Sequence, residues 1–193
     1  MKKILFPLLL ACGAAAMFAS CNKIVDELKK NIKAFNYEAP VVTYTLPALP
    51  AGDTYNSENQ TYDLNINEII DEYVSEVNVS LDDISKISIN KITLSMEDGD
   101  AENNWTNFES ATVKANTDKG KAEGREDLAA TATIEDVESE RYTDKVINFA
   151  DHNLKDYVNG EGTKVTYSIS AKARREVTKE LKIHATIQYS FKP

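Results

Sequence analysis

The sequence predicts a mainly β fold: an antiparallel two-sheet β-sandwich with one or two short helices and a long C-terminal β-hairpin. Three observations carry the prediction. The stretches "TKVTYSISAKA" and "ELKIHATIQYSF" alternate strictly between apolar and polar residues. Shorter segments of the same period precede them, separated by turn signals rather than regular helices. The chain has 193 residues, and the roughly 170 that follow its N-terminal segment can bury about 70% of their unfolded surface in one core. Alternation of this kind belongs to antiparallel sheets with one face in water.

In chain order, residues 1–20 read as an export signal. Lys2 and Lys3 supply the positive start, residues 4–11 an apolar core, and Gly13, Ala14, Ala15 and Ala16 lead to Met17-Phe18-Ala19-Ser20. The apolar part is shorter than the about 20 residues a membrane-spanning helix needs. Cys21 follows at once, and the pattern resembles the lipobox of bacterial lipoproteins, in which that cysteine takes a diacylglycerol and becomes the new N-terminus. Phe18 stands where the box usually has leucine. Cys12 also fits a lipobox locally, but it would leave an apolar core of only about eight residues. The other reading is an ordinary signal followed by a chance cysteine. With Cys12 removed and Cys21 acylated, no cysteine of the two remains for a disulfide. The expected organisation is a signal peptide over 1–20, a lipid-anchored, partly helical tether over 21–39 and the sandwich over 40–193.

The net charge of −9 becomes more acidic when Lys2 and Lys3 leave with the signal. Such a chain repels nucleic acid and anionic headgroups, so the expected membrane partner is reached through the lipid alone.

After Cys21, Ile24, Val25, Leu28, Ile32 and Phe35 fall at helical spacing beside Lys23, Lys29, Lys30 and Lys33. The segment reads either as a helical stalk or as an amphipathic stretch on the membrane surface. Pro40, Pro47 and Pro50 then exclude helix and bracket a first edge strand over 41–46. "QTYDLNIN" places Tyr62, Leu64 and Ile66 on one face, and Asn67 is positioned to cap a short helix carrying Ile69, Ile70, Tyr73, Val74 and Val77.

"ISKISINKITLSM" breaks its own rhythm: Ile87 and Ile89 share one parity, Ile92, Leu94 and Met96 the other. A β-bulge near Asn90-Lys91 restores a single buried face. Strands follow at 110–115 and 128–134, with "TDKGKAEGRED" (117–127) as an exposed hairpin loop. "DHNLKDYVNG" reads as a second short helix, capped by Asp151 and stopped by Gly160, with Leu154, Tyr157 and Val158 facing inward. In the last two strands Val165, Tyr167, Ile169, Ala171 and Ala173, then Leu181, Ile183, Ala185, Ile187, Tyr189 and Phe191, form the inner faces.

The signal ending in Ala19-Ser20-Cys21-Asn22-Lys23 resembles lipoproteins of Bacteroidota. So does the order of "YDLNINEIIDEY", "LDDISKISINKITLSMED", an aromatic-anchored loop and a long final hairpin. It is similar to β-sandwich lipoproteins of that phylum, some of them called adhesion-like. The resemblance is one of pattern; it implies an outer-membrane lipoprotein and transfers no site residue. Surface-exported members carry acidic residues just after the cysteine, whereas Asp26 and Glu27 come late here, flanked by lysines. That favours the periplasmic face over the cell surface.

Chemistry-bearing motifs are sparse. The sequence has two histidines, His152 and His184, and no G-x-S-x-G elbow, dinucleotide fingerprint or P-loop. No cofactor and no catalytic residue is expected. "MEDGDAEN" offers Glu97, Asp98, Asp100 and Glu102 as hard oxygen ligands, a weak Ca²⁺ candidate set against a solvated acidic turn; Asn103 occupies the position where an EF-hand needs glycine. Behind it, Trp105 among Asn104 and Asn107 forms a candidate glycan-stacking platform, set against a tryptophan tucked beneath the sheet edge. Three function classes remain: a non-catalytic binding or adhesion module for a protein or glycan, which is preferred; a structural component of the envelope; and a glycan-acting enzyme using two carboxylates.

Overall fold

The alternating segments become strands, and most of the turns between them carry the chain from one sheet to the other. The computed structural model describes residues 32–74, 79–149 and 152–193. Its strands are β1 (Phe35–Glu38), β2 (Val42–Leu46), β3 (Thr54–Asn56), β4 (Gln60–Leu64), β5 (Lys86–Met96), β6 (Phe108–Thr117), β7 (Leu128–Thr133), β8 (Lys145–Asn148), β9 (Thr163–Ala173) and β10 (Leu181–Lys192). In the first sheet β1 and β2 lie end to end along β10, followed by β5 and β8. In the second, β3 and β4 lie end to end along β9, followed by β6 and β7. All pairings are antiparallel. Apart from the β6–β7 hairpin, each step from one strand line to the next crosses between the sheets, the arrangement of a jelly roll.

Both edge lines break where the sequence supplies a reason. Pro40, which has no N–H to give a ladder, stands between β1 and β2. Between β3 and β4, Ser57 repairs the gap: its N–H donates to the Ile169 carbonyl (2.9 Å) and its Oγ accepts from the Ile169 N–H (2.9 Å). The bulge in β5 lies where the parity change places it. Lys91 is opposite Gln188 and Ile89 opposite Tyr189, so Asn90 is the extra residue, and its side-chain amide donates to Gln188 Oε1 at 2.9 Å. Ile87, Ile89, Ile92 and Leu94 thereby all face the core.

The chain ends in the two long strands that alternation predicts, turned back by the charged segment 174–180, and their inner faces are the predicted ones. Their hydrogen-bond partners differ from a simple hairpin's. β9 ladders onto β3, β4 and β6, and β10 onto β1, β2 and β5, so the two strands face one another from opposite sheets.

Three other local expectations change. Phe35, read as the end of an amphipathic helix, opens β1 instead, stacked between Phe191 (4.9 Å) and Tyr73 (5.0 Å); a ladder plus two ring contacts outweighs a helical turn. Ile32 and Lys33, also part of the helical reading, stand in no helix; the rest of that reading, with Cys21, lies outside the described residues. Helix α1 (Ile66–Tyr73) starts earlier than expected, with Asn65 as its cap, Oδ1 accepting from the Glu68 N–H; Asn67 sits inside it, its N–H donating to the Gly160 carbonyl. The second expected helix shrinks to one 3-10 turn, Lys155–Tyr157. Asn153 Oδ1 there accepts from the N–H groups of both Lys155 and Ile87, while Leu154 and Val158 are buried. The β6–β7 loop contains a further short helix, α2 (Asp118–Ala122), capped by Thr117, whose Oγ1 accepts from the Gly120 N–H. A Cβ at Gly120 would lie 2.5 Å from Asn116 Oδ1 and 2.7 Å from the Tyr157 ring, so this turn needs glycine. Among the described residues no helix is long and apolar enough to cross a membrane.

Between the sheets, the hydroxyls of Tyr62 and Tyr167 both meet that of Tyr189, and the rings of Tyr62 and Tyr167 stack at 5.8 Å. Burial is the main cause holding all three phenols neutral. It pushes Tyr189 up to about 12 and raises the other two well above the usual value of 10. The unfolded chain ionises these phenols near 10 and the folded one above it. Their stabilising contribution is therefore complete below pH 10 and is lost as pH climbs toward 12 and beyond. The urea midpoint should fall steeply over that range, and part of the tyrosinate absorbance should appear only with unfolding. A midpoint that stays flat, with every phenol titrating near 10 in folded protein, would contradict the buried cluster.

Candidate functional site

The β5–β6 connection, where sequence reasoning places its candidate residues, is wired into the fold. Trp105 is 1% exposed and packs edge-on against Phe108, ring centres 6.1 Å apart. Asn104 and Asn107 are buried with it. Asn104 Oδ1 accepts from the N–H (3.0 Å) and hydroxyl (2.7 Å) of Thr106, and its amide donates to the carbonyls of Asp100 and Ala101. The Asn107 side-chain amide donates to the carbonyls of Glu102 (2.9 Å) and Glu176 (2.7 Å), and the Asn107 backbone carbonyl accepts from the N–H groups of Arg174 and Arg175. Asn103 Oδ1 accepts from the Thr178 N–H at 2.7 Å. Asn104 braces the loop internally, and Asn103 and Asn107 fasten it to the β9–β10 turn. They leave no open face for a sugar ring, which corrects the expectation of a stacking platform.

One acidic residue of that loop, Asp100, serves the same turn. Asp100 Oδ1 accepts from the N–H groups of Glu102 (2.9 Å) and Asn103 (2.7 Å), and Oδ2 lies 2.8 Å from the Lys179 ammonium. Lys179 first, then those N–H groups, hold the Asp100 carboxyl far below its usual range. Asp98 and Glu102 do not join it as ligands: among the described residues no group of three or more His, Cys, Asp or Glu could hold a metal ion.

His184 stands on the outer face of the first sheet, with partners the sequence does not reveal. Its Nδ1 lies 2.9 Å from Thr43 Oγ1 and its Nε2 3.0 Å from Glu97 Oε2. The His184 hydrogen bond, followed by the nearby Lys182 ammonium, lowers the Glu97 carboxyl below its ordinary value. The row spans three adjacent strand lines on a solvent-exposed face, and it ties the β2 edge to the β5 end across β10. His152 is exposed.

A concave polar surface appears elsewhere, on the outer face of the second sheet. Ser168 of β9 lies opposite Lys114 of β6, Thr166 opposite Asn116, and Ser170 opposite Thr112. At the sheet edge, Asn56 pairs with Ser170 and Thr61 with Thr166, their hydroxyls 3.1 Å apart in the second case. Two adjoining hollows share Lys114 and Ser168. One, of about 60 Å³, runs from Asn59 to Lys121 and Asp127; the other, of about 50 Å³, runs past Asn56, Ser57 and Ser170. The kink between β3 and β4 opens the edge, the small hydroxyl residues of β9 form the floor, and the longer side chains of Lys114 and Lys121 form the rim. Asn116 is fixed in place, its amide donating to Asp127 Oδ1 at 2.7 Å and its Oδ1 accepting from the Thr117 N–H. Hydroxyls, amides and ammoniums within one hollow can donate to and accept from a hydroxylated ligand. The strict alternation of "TKVTYSISAKA" puts Thr166, Ser168 and Ser170 on the polar face, opposite the inner residues. Sequence reasoning missed the hollow, because the alternation of one strand says nothing about the curvature of three.

No protein-family model matches the chain, and no curated protein sequence matches it. Among solved structures, one of the carbohydrate-binding modules from the β-sandwich superfamily is similar at 7% identity, covering 79% of this chain and 54% of that chain, with a TM-score of 0.35. Infectious bursal disease virus, Gx strain, is similar at 10% identity and a TM-score of 0.35, with 82% and 32% covered. The decameric BFDV capsid protein is similar at 7% and 0.33, with 83% and 100% covered. The chain thus spans about half the length of the first and about a third of the second. Likenesses this distant carry no argument about ligand or activity. The protein is a mainly β, two-sheet antiparallel sandwich.

Proposed function

We propose that this protein is a non-catalytic binding module, anchored to the outer membrane by a lipid on Cys21, that holds a polyhydroxylated ligand of the glycan class on the outer face of its second sheet. The observation that carries the binding reading is the pair of polar hollows joined at Lys114 and Ser168. A ligand rich in hydroxyls matches such a lining, because each of its groups both donates and accepts. The anchor rests on the signal-like residues 1–20 and the lipobox-like approach to Cys21, and the late Asp26 and Glu27 favour the periplasmic face. Against this stands a structural envelope component, which constitutive co-purification with another envelope protein would favour.

The two parts are tested separately. Cys21→Ala should abolish palmitate labelling and release the protein from membranes, while Cys12→Ala does neither; labelling that survives loss of Cys21 overturns the anchor. For the groove, Ser168→Tyr places a ring on the floor of both hollows without touching the core. Retention on an array of envelope and plant polysaccharides should fall by on the order of tenfold with melting unchanged. Unaltered retention would remove the groove as the site.

A further inference from the structure

Resting on that reading, we infer that the ligand is an acidic glycan, a polysaccharide bearing carboxylate or sulfate groups, recognised by Lys114 and Lys121. The protein carries an excess of acid, with a net charge of −9. Several basic side chains among the described residues are paired with an acid. Lys172 pairs with Glu109 (2.7 Å), Lys179 with Asp100 (2.8 Å), Arg125 with Glu123 (2.9 Å), Lys145 with Glu140 and Arg175 with Asp136. Lys114 and Lys121 are not, and both line the same hollow. Neither ammonium forms an ion pair with a described residue. Asp127, the one carboxylate on the lining, already accepts from the Asn116 amide and lies beyond ion-pair distance of both lysines. Glu58, on the neighbouring kink, lines neither hollow.

Two unpaired ammoniums above a floor of Ser168, Ser170 and Thr166 divide the work of recognition. The floor meets hydroxyls, and the rim meets negative charge through charge-assisted hydrogen bonds, the stronger kind. Apart from the Asp127 carboxylate, which is engaged by Asn116, the polar groups on the lining are otherwise hydroxyls and amides, so the two lysines are also the groups that can discriminate. A neutral sugar leaves them in water, whereas an acidic one pairs with them. A protein with this net charge repels polyanions at large, so any affinity for one must come from a local patch.

The test uses the full chain in detergent against two matched pairs of probes: oligogalacturonate with its methyl ester, and dextran sulfate with dextran. One or both charged probes should bind on the order of tenfold more tightly than the neutral partner at low salt, and the preference should shrink at high salt. Which charged probe binds distinguishes carboxylate from sulfate. K114A/K121A should erase the preference while melting stays unchanged, and K29A/K30A in the tether segment should preserve it. Equal binding of charged and neutral probes, blocked by Ser168→Tyr, would overturn the acidic-glycan inference and leave the groove standing. A preference that survives K114A/K121A would overturn it as well. Binding of no probe of either pair would overturn both the inference and the groove reading.

Discussion

Replacing Ile187 by aspartate should leave the chain unable to hold its fold. Ile187 is 0% exposed at the middle of β10, the strand that β1, β2 and β5 all join. A carboxylate there would lie inside the hydrophobic core. It must either stay charged in a low-dielectric core or bind a proton against its ordinary pKa, and both routes are costly. The expected loss exceeds about 4 kcal/mol, against a total stability of about 5–15 kcal/mol for a domain. Circular dichroism should show a collapsed or absent thermal transition. The contrasting substitution, His184→Ala, lies on the opposite face of the same strand and removes two exposed hydrogen bonds, to Thr43 and Glu97. It should cost less than about 1 kcal/mol. Comparable effects would mean that the two faces of β10 are exchanged.

Trp105→Ala should destabilise the protein by about 3–5 kcal/mol, the range for removing a buried large aromatic side chain. That corresponds to a melting temperature lower by on the order of 10 °C for a domain of this size. The ring is enclosed, and it packs beside the asparagine network that joins the β5–β6 connection to the β9–β10 turn. The cavity left behind cannot close without disturbing those hydrogen bonds. Affinity for any glycan bound on the second sheet should not change in protein that remains folded. The opposite pattern, intact melting with lost binding, would show Trp105 to be a ligand platform and would undo the placement of the site on the sheet face.

The comparison of these two positions shows how much could be read in advance. Ile187 belongs to a strand whose alternation is unbroken, so its inward direction follows from local geometry: successive side chains leave a strand on opposite faces. The bulge at Asn90 was legible on the same basis, since a parity change must be absorbed by one extra residue if both halves are to face one core. Trp105 sits among four polar residues, Asn103, Asn104, Thr106 and Asn107, and such a stretch reads as solvent-exposed unless partners exist for its amides. Asn104 finds its partners within the loop, but Asn103 and Asn107 also need residues 174–178, which are distant in the chain and recognisable only once β9 and β10 turn the corner between sheets.

What the sequence by itself determined is therefore the class of fold, the inward face of each long strand and the bulge that keeps β5 in register. Each depends on the period of side chains along one strand, and that period is local. Only the tertiary structure decided which strands pair, that β9 and β10 belong to different sheets, that Phe35 starts a strand, and that the asparagines around Trp105 are buried. It also decided where the polar hollow lies. Alternation assigns a residue to a face but names no neighbour for it. Pairing, closure and concavity come from the way the connections cross between two sheets so that both apolar faces are buried together.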